Sequence, residues 1–201
     1  MVANATLATV IAYLLGSIPT GYIVARLARG VDIREVGDRY SGAKNVFREI
    51  GLVAGVATAV GDMAKGALAI LQTRLLPVPE AAKVWIGLAA VAGHIWPVFL
   101  QFRGGAGLAT SVGVVLAALS RESLILFVPY LALAATLGRR IGLGATSALL
   151  LIPLTLLSRR LKEPTALVTM TWAIAVLVAA RVYHREIEEA LRRCLVTGER
   201  R

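Results

Sequence analysis

Two short stretches of the chain combine glycines with basic residues immediately before an apolar run. Residues 32–51 contain three glycines and four cations, and residues 103–107 are an arginine followed by Gly-Gly-Ala-Gly. Glycine amides, a helix N-terminus and a guanidinium or ammonium group are together suited to bind phosphate. The candidate phosphate-binding residues are Gly37, Gly42, Lys44, Arg48, Arg103, Gly104, Gly105 and Gly107.

The same residues also fit an interpretation without a ligand. Glycines allow helices to pack closely, and loop cations anchor a membrane protein by the positive-inside bias. The sequence alone leaves both interpretations open, although two such stretches on one face favour the phosphate site.

Four further polar residues are candidates for a site. Asp62 and Lys65 are spaced i, i+3 inside an apolar run, where charges are usually either paired or functional. They form either a structural ion pair or a support for the site. His94 also lies in an apolar run, where a hydrogen-bonded structural role is expected. His184 follows the last apolar run and is either a general base, a phosphate partner or a solvated surface residue.

The composition indicates the kind of protein that must position these residues. Of the 201 residues 57% are hydrophobic and only 17% are charged, and the mean hydropathy is +0.73, which indicates an integral membrane protein. The net charge of +10 favours anionic lipid or a phosphorylated substrate as partner. Nucleic acid is not expected, because the cations lie between membrane-length segments. Two distant histidines and the single Cys194 predict neither a metal site nor an internal disulfide.

Seven apolar segments are candidates for membrane-spanning helices. The first has no basic leader and is interpreted as a retained helix rather than a signal peptide. The fourth is short for a bilayer, so we expect the glycines before it to line a cavity. The segments are 3–25, 51–73, 82–102, 108–120, 123–138, 142–157 and 165–181.

The distribution of Lys and Arg predicts the orientation. With seven spans, 15 of the 22 basic residues fall on the side that includes the C-terminus. This bias predicts a cytoplasmic C-terminus and an outside N-terminus. The charged tail, residues 182–201, is predicted to form a short surface helix. We expect one all-α transmembrane domain over residues 1–201.

Several motifs then resemble a known family. In order from about residue 10 to the C-terminus, the chain resembles the bacterial acyl-phosphate:glycerol-3-phosphate acyltransferases. The motifs are "YLLGSIPTGYIVARL", "DIREVG", "SGAKNVFREIG", "GDMAKG", "GLAAVAGHIWPVFLQFRGGAGLATSVGVV" and "HRE…TGE". The resemblance implies a seven-helix enzyme of the bacterial cytoplasmic membrane that needs no metal or cofactor. It implies transfer of a fatty acyl group from acyl phosphate, not acyl-CoA, to the 1-hydroxyl of glycerol 3-phosphate.

The resemblance also assigns roles to individual residues. Asn45 and His184 become candidate catalytic residues, and Arg185 joins Asp62 and Lys65 as possible support. Where the family reads roughly G-S-G-N-x-G-A-T-N-x-x-R and G-G-K-G, this chain departs at Asp38, Arg39, Tyr40, Lys44 and Ala106.

These departures leave two hypotheses. In one, the enzyme is active and Lys44 replaces the cation that the family has at position 106. In the other, the chain has diverged and binds a phospho-ligand or partner, or uses another acceptor. Asp38 is expected to repel phosphate unless Arg39 or Lys44 pairs with it.

Overall fold

The computed structural model describes residues 1–118 and 165–198, with side chains described as far as residue 184. All regular structure within these ranges is helical. The helices are α1 (Val2–Ser17), α2 (Thr20–Arg29), α3 (Ala43–Glu49), α4 (Leu52–Leu71), α5 (Ala82–Ile95), α6 (Leu108–Ala118) and α7 (Thr165–Gly198). Single 3-10 turns follow α4 at Gln72–Arg74 and α5 at Val98–Leu100.

Four helical segments in the described part of the chain are long and apolar enough to cross a membrane. They are Val2–Arg29, Leu52–Arg74, Ala82–Leu100 and Thr165–His184. The shorter apolar helix α6 corresponds to the predicted segment 108–120. The predicted segments 123–138 and 142–157 lie outside the described residues, so the count of seven stays a prediction.

Two predicted segments differ in detail from the structure. The first is not one continuous helix, because Pro19 disfavours helical backbone at Ile18, which has ψ 118°, and separates α1 from α2. The tail is not a separate helix, because α7 continues without a break from the apolar segment to Gly198. No proline interrupts that stretch of sequence.

The membrane helices are in contact at glycines. A Cβ atom on Gly16 of α1 would collide with the carbonyl of Ala90 in α5, and one on Gly66 of α4 with that of Thr110 in α6. Small residues allow such close approach of backbones in membrane proteins. Gly16 and Gly66 therefore fit the interpretation in which glycines allow helices to pack closely.

The first polar loop, residues 32–51, has a small core of its own. Ala25 from α2, Ile33 from the loop, and Val46 and Ile50 from and after α3 are all buried against one another. This cluster fixes the loop on α2 and α3 and so defines where its polar side chains emerge.

Candidate active site

Asn45 organises the first loop from within. The side chain is 1% exposed, and Nδ2 lies 3.0 Å from each of the carbonyl oxygens of Ile33, Val36 and Tyr40. Its Oδ1 accepts a hydrogen bond from the N–H of Asp38 at 3.1 Å. Every polar atom of the amide is therefore used by the loop, which is the geometry of a residue that shapes the site rather than one that contacts a substrate.

Two residues of this loop have left-handed backbone. Gly37 has φ +59°, and a Cβ there would collide with the side chains of Asn45 and Glu49. Arg39, at the position where the family pattern has glycine, has φ +57°. Non-glycine residues in this region carry backbone strain, which is often found at functional sites.

Arg34 joins the first loop to the rest of the molecule. Its Nη2 lies 2.8 Å from Oδ2 of Asp32, and its Nη1 donates to the carbonyl of Leu100 at 3.2 Å. The guanidinium also lies 5.2 Å from the ring centroid of Tyr22 in α2. Hydrogen bonding from Arg34 lowers the pKa of Asp32, and the same bond raises the pKa of Arg34.

The second polar loop, residues 103–107, follows a strained turn. After Pro97, the 3-10 turn ends at two consecutive residues with left-handed backbone, Gln101 at φ +54° and Phe102 at φ +62°. The N–H of Phe102 donates to the carbonyl of Pro97 at 2.9 Å. This turn reverses the chain at the end of α5 and presents Arg103 at the surface.

The glycines that follow pack against His94. The N–H of Gly105 donates to the carbonyl of His94 at 3.1 Å, so that amide is already paired. A Cβ on Gly104 would meet the same carbonyl, and one on Gly105 would meet Nε2 of the imidazole. Gly107 has φ +91° and leads directly into α6. Close packing therefore accounts for glycine at positions 104 and 105.

The two loops meet, as the phosphate-site interpretation requires. Besides the bond from Arg34 to Leu100, Nη2 of Arg103 lies 3.2 Å from Oε1 of Glu35. Nη1 of Arg48, in α3, lies 3.3 Å from Oδ2 of Asp38. One arginine from each loop is thus paired with a carboxylate of the first loop.

These pairs correct one expectation about Asp38. Among the residues that the structure describes, Asp38 pairs with Arg48 rather than with Arg39 or Lys44. Both arginine side chains are 56% exposed, so the two pairs are weak and open to exchange for another anion.

The remaining first-loop candidates lie at the start of α3. Gly42 is the residue that precedes α3, a helix that the sequence analysis did not predict within this loop, and Lys44 is exposed on its first turn. Ala106, where the family pattern has lysine, is half-buried between Gly105 and Gly107.

Helix α7 reaches the first loop through Arg181. Its guanidinium lies 5.8 Å from the ring centroid of Tyr40. His184 is exposed one helical turn further along α7, which places it on the same side of the helix as Arg181. The side chain of Arg185 lies outside the described part of the chain.

Asp62, Lys65 and His94 form one buried cluster below the second loop. Oδ1 of Asp62 lies 3.0 Å from Nζ of Lys65 and 3.5 Å from Nδ1 of His94. The three residues are between 1% and 5% exposed.

Comparison with known proteins decides the family. A sequence model described as glycerol-3-phosphate acyltransferase matches residues 6–193. The chain belongs to the glycerol-3-phosphate acyltransferase family.

Relatives in the family extend over nearly the whole chain. The glycerol-3-phosphate acyltransferase of Geobacter sulfurreducens is 40% identical over 94% of each chain. That of Endomicrobium trichonymphae is 41% identical over 86% of this chain and 85% of its own. Both comparisons confirm the resemblance predicted from the motifs.

Two solved structures have the same fold. They are crystal structures of PlsY, described as an integral membrane glycerol 3-phosphate acyltransferase, in its glycerol 3-phosphate and lysophosphatidic acid forms. Their TM-scores are 0.74, their identities 33% and 31%, and each match covers 96% of this chain and 92% of the other. The fold of the acyltransferase family is therefore shown for this chain.

Sequence reasoning missed the residues that hold the acyltransferase loops together. Arg34 and Glu35 lie within the quoted "DIREVG" motif, but no spacing rule predicts contacts with residues 100 and 103. Tyr40 was read only as a departure from the family pattern, whereas the structure gives it a contact with Arg181 on α7.

Proposed function

We propose that this protein transfers a fatty acyl group from an acyl phosphate to the 1-hydroxyl of glycerol 3-phosphate, giving lysophosphatidic acid. Its family membership makes it a glycerol-3-phosphate acyltransferase of phospholipid synthesis. The acyl phosphate donor and the positions of the substrates are part of our proposal.

One observation carries the assignment of the site. Arg48 and Arg103 come from different loops, yet they pair with carboxylates only three residues apart, Glu35 and Asp38. Charge-assisted bonds to phosphate are short and strong, and a dianionic phosphate offers more acceptor atoms than one carboxylate. We therefore assign these two arginines, with Lys44, to substrate phosphates, and the carboxylates to partners that the substrate displaces.

The reaction needs orientation more than a covalent intermediate. The oxygen of the glycerol hydroxyl attacks the carbonyl carbon of the acyl phosphate, its proton passes to a base, and the bond from the acyl carbon to the phosphate oxygen breaks. Inorganic phosphate leaves with the bonding electrons. Holding both phosphates beside one another places the reacting groups in line, and nearby cations and amides stabilise the developing oxyanion.

Two groups are candidates for the base that accepts the proton of the glycerol hydroxyl. His184 is exposed beside the loop that Arg181 contacts, and the substrate's own phosphate is the second candidate. Asn45, with its amide fully used inside the loop, is assigned a positioning role.

The same proposal includes a topology. We infer seven spans with the N-terminus outside and the loops at residues 32–51 and 103–107 on the cytoplasmic side of a bacterial inner membrane. Cys194 is the single cysteine of the chain, so a membrane-impermeant maleimide should label it in inside-out vesicles but not in intact cells. Labelling of intact cells would reverse the orientation.

The test of function is acyl transfer by the purified protein in lipid discs. Palmitoyl phosphate should release phosphate only when glycerol 3-phosphate is present, with lysophosphatidic acid formed in equal amount by mass spectrometry. Release without the acceptor, or no release while an active family member works alongside, would refute the proposal.

Matched arginine variants test the site. Arg48→Gln and Arg103→Gln should each raise KM for glycerol 3-phosphate or acyl phosphate about tenfold or more, from the loss of a charge-assisted bond. Arg29→Gln changes an exposed arginine at the end of α2 and should leave both constants unchanged.

A further inference from the structure

A charge pair lies buried between the helices that carry the two loops. Asp62 is 1% exposed, Lys65 is 5% exposed, and both belong to α4, a candidate membrane span. Charges at such a depth are costly, so a pair of them requires an explanation beyond stability alone. The contacts of Lys65 and of Asp62 provide this explanation.

Lys65 contacts the break between α1 and α2. Its Nζ donates to the carbonyl oxygen of Ile18 at 2.9 Å. Pro19 has no N–H, and the break before α2 removes carbonyls from the helical hydrogen-bond ladder. Because α2 begins at Thr20 and leads into the first loop at its other end, Lys65 holds the start of the helix that carries that loop.

Asp62 contacts the support of the second loop. The Oδ1 atom that faces Lys65 also lies 3.5 Å from Nδ1 of His94, and His94 is 5% exposed. The opposite side of the imidazole, at Nε2, is where Gly105 packs, and the carbonyl of His94 accepts from the N–H of Gly105. Asp62 therefore lies against the histidine on which Gly104 and Gly105 pack.

We infer that Asp62, Lys65 and His94 are positioning residues that set the placement of the two phosphate-binding loops relative to one another. The chain of contacts runs from the start of α2 through Lys65, Asp62 and His94 to Gly105. This inference rests on the proposed function of the loops. It adds a role for three residues that do not reach the substrate.

The test separates positioning from stability by removing both charges together. Asp62→Asn/Lys65→Met leaves no unpaired buried charge, and neutral replacement of a buried pair is often harmless to stability. We expect a melting temperature close to that of the unchanged protein, but a kcat/KM for glycerol 3-phosphate at least about tenfold lower, because small misplacements in a site are costly to rate. Unchanged kinetics in this folded variant would overturn the inference.

The chain offers a matched control for the double change. Glu80 and Lys83 form an ion pair with the same i, i+3 spacing near the start of α5, far from the loops along that helix. Glu80→Gln/Lys83→Met should leave kinetics and melting temperature unchanged. If neither the unchanged protein nor this control makes lysophosphatidic acid, the proposed function fails. The kinetics then give no information about the placement of the two loops.

A distance measurement tests the inference independently of activity. With Cys194→Ser as background, spin labels at Glu49→Cys and Leu108→Cys report the separation of α3 from the start of α6, and both positions are exposed. The Asp62→Asn/Lys65→Met change should shift or broaden the distance distribution, whereas the Glu80/Lys83 control should not. An identical distribution in all three proteins would overturn the inference.

Histidine variants decide the case if the double variant does not fold. Asn at position 94 places an amide near the position of Nδ1, and Gln places one near that of Nε2. Each variant keeps one of the two ends of the imidazole that link Asp62 to Gly105 and removes the other, so each should lower kcat/KM about tenfold. An unchanged kcat/KM in both folded variants would contradict a positioning role for His94.

Discussion

Arg48 and Asp38 form an ion pair across 3.3 Å at the mouth of the first loop. Asp38 stands where the family pattern has serine. If Arg48 binds a substrate phosphate, as we propose, the Asp38 carboxylate competes with that phosphate for the guanidinium, and the ligand must displace it.

Asp38→Ser should lower KM for glycerol 3-phosphate about two- to fivefold, because exposed ion pairs contribute up to about 1 kcal/mol. Steady-state kinetics over a range of glycerol 3-phosphate concentrations measure the change. Glu80→Ser removes an exposed carboxylate from another ion pair and should have no effect. A KM that stays the same or rises would show that Asp38 does not compete with the substrate.

Arg39→Gly should stabilise the protein, because position 39 has φ +57° and glycine adopts this backbone without strain. We expect a gain of about 1 kcal/mol and a melting temperature higher by about 2–4 °C. Thermal unfolding in detergent measures it. Arg29→Gly, made within α2, should instead lower the melting temperature, and a decrease in both would refute the strain argument.

Lys44→Thr should weaken substrate binding tenfold to about 150-fold, the effect of losing one charge-assisted bond. Adding Ala106→Lys should restore binding if one cation replaces the other at a shared phosphate. The two single variants and the double variant form a cycle measured by KM. Strictly additive effects would mean that the two positions do not serve the same phosphate.

Protonation of Asp32 should lower the stability of the folded protein at acid pH. The hydrogen bond from Arg34 lowers the pKa of Asp32 in the folded protein, so its contribution is present above the unfolded pKa of about 3.9. That contribution is lost as the pH falls through the lower, folded pKa. Melting temperatures between about pH 5 and pH 2 should therefore drop less steeply in Asp32→Asn than in the unchanged protein. If the melting temperatures of the two proteins fall in parallel, the Asp32 carboxyl is not a source of the pH dependence of stability.

Much of the scaffold could be predicted from sequence because it follows from local rules. Long apolar segments predicted the spans at Leu52–Arg74 and Ala82–Leu100 within a few residues. The same rule did not show that Pro19 divides the first span, although the proline itself was the available signal. The seven-helix count and the orientation stay predictions.

The site was predicted less fully, because its contacts join residues distant in sequence. Asn45 was a catalytic candidate by its type and its family position, but three carbonyls of an irregular loop surround its amide. From the sequence, Gly105 was consistent with both anion binding and close packing, and only the structure shows that it packs against His94. Periodicity describes helices, and it carries no information about which loop atoms meet.

The continuity of α7 connects a candidate membrane span rigidly to the residues beside the first loop. At 34 residues the helix is about 51 Å long, well beyond a hydrocarbon core of about 30 Å, and its apolar part ends at His184. A rigid helix adjusts to a thicker or thinner membrane by tilting or shifting as a whole. Such a shift would carry His184 and Arg181 relative to Tyr40 and the first loop. Lipid chain length would thereby tune an enzyme whose own product becomes membrane lipid.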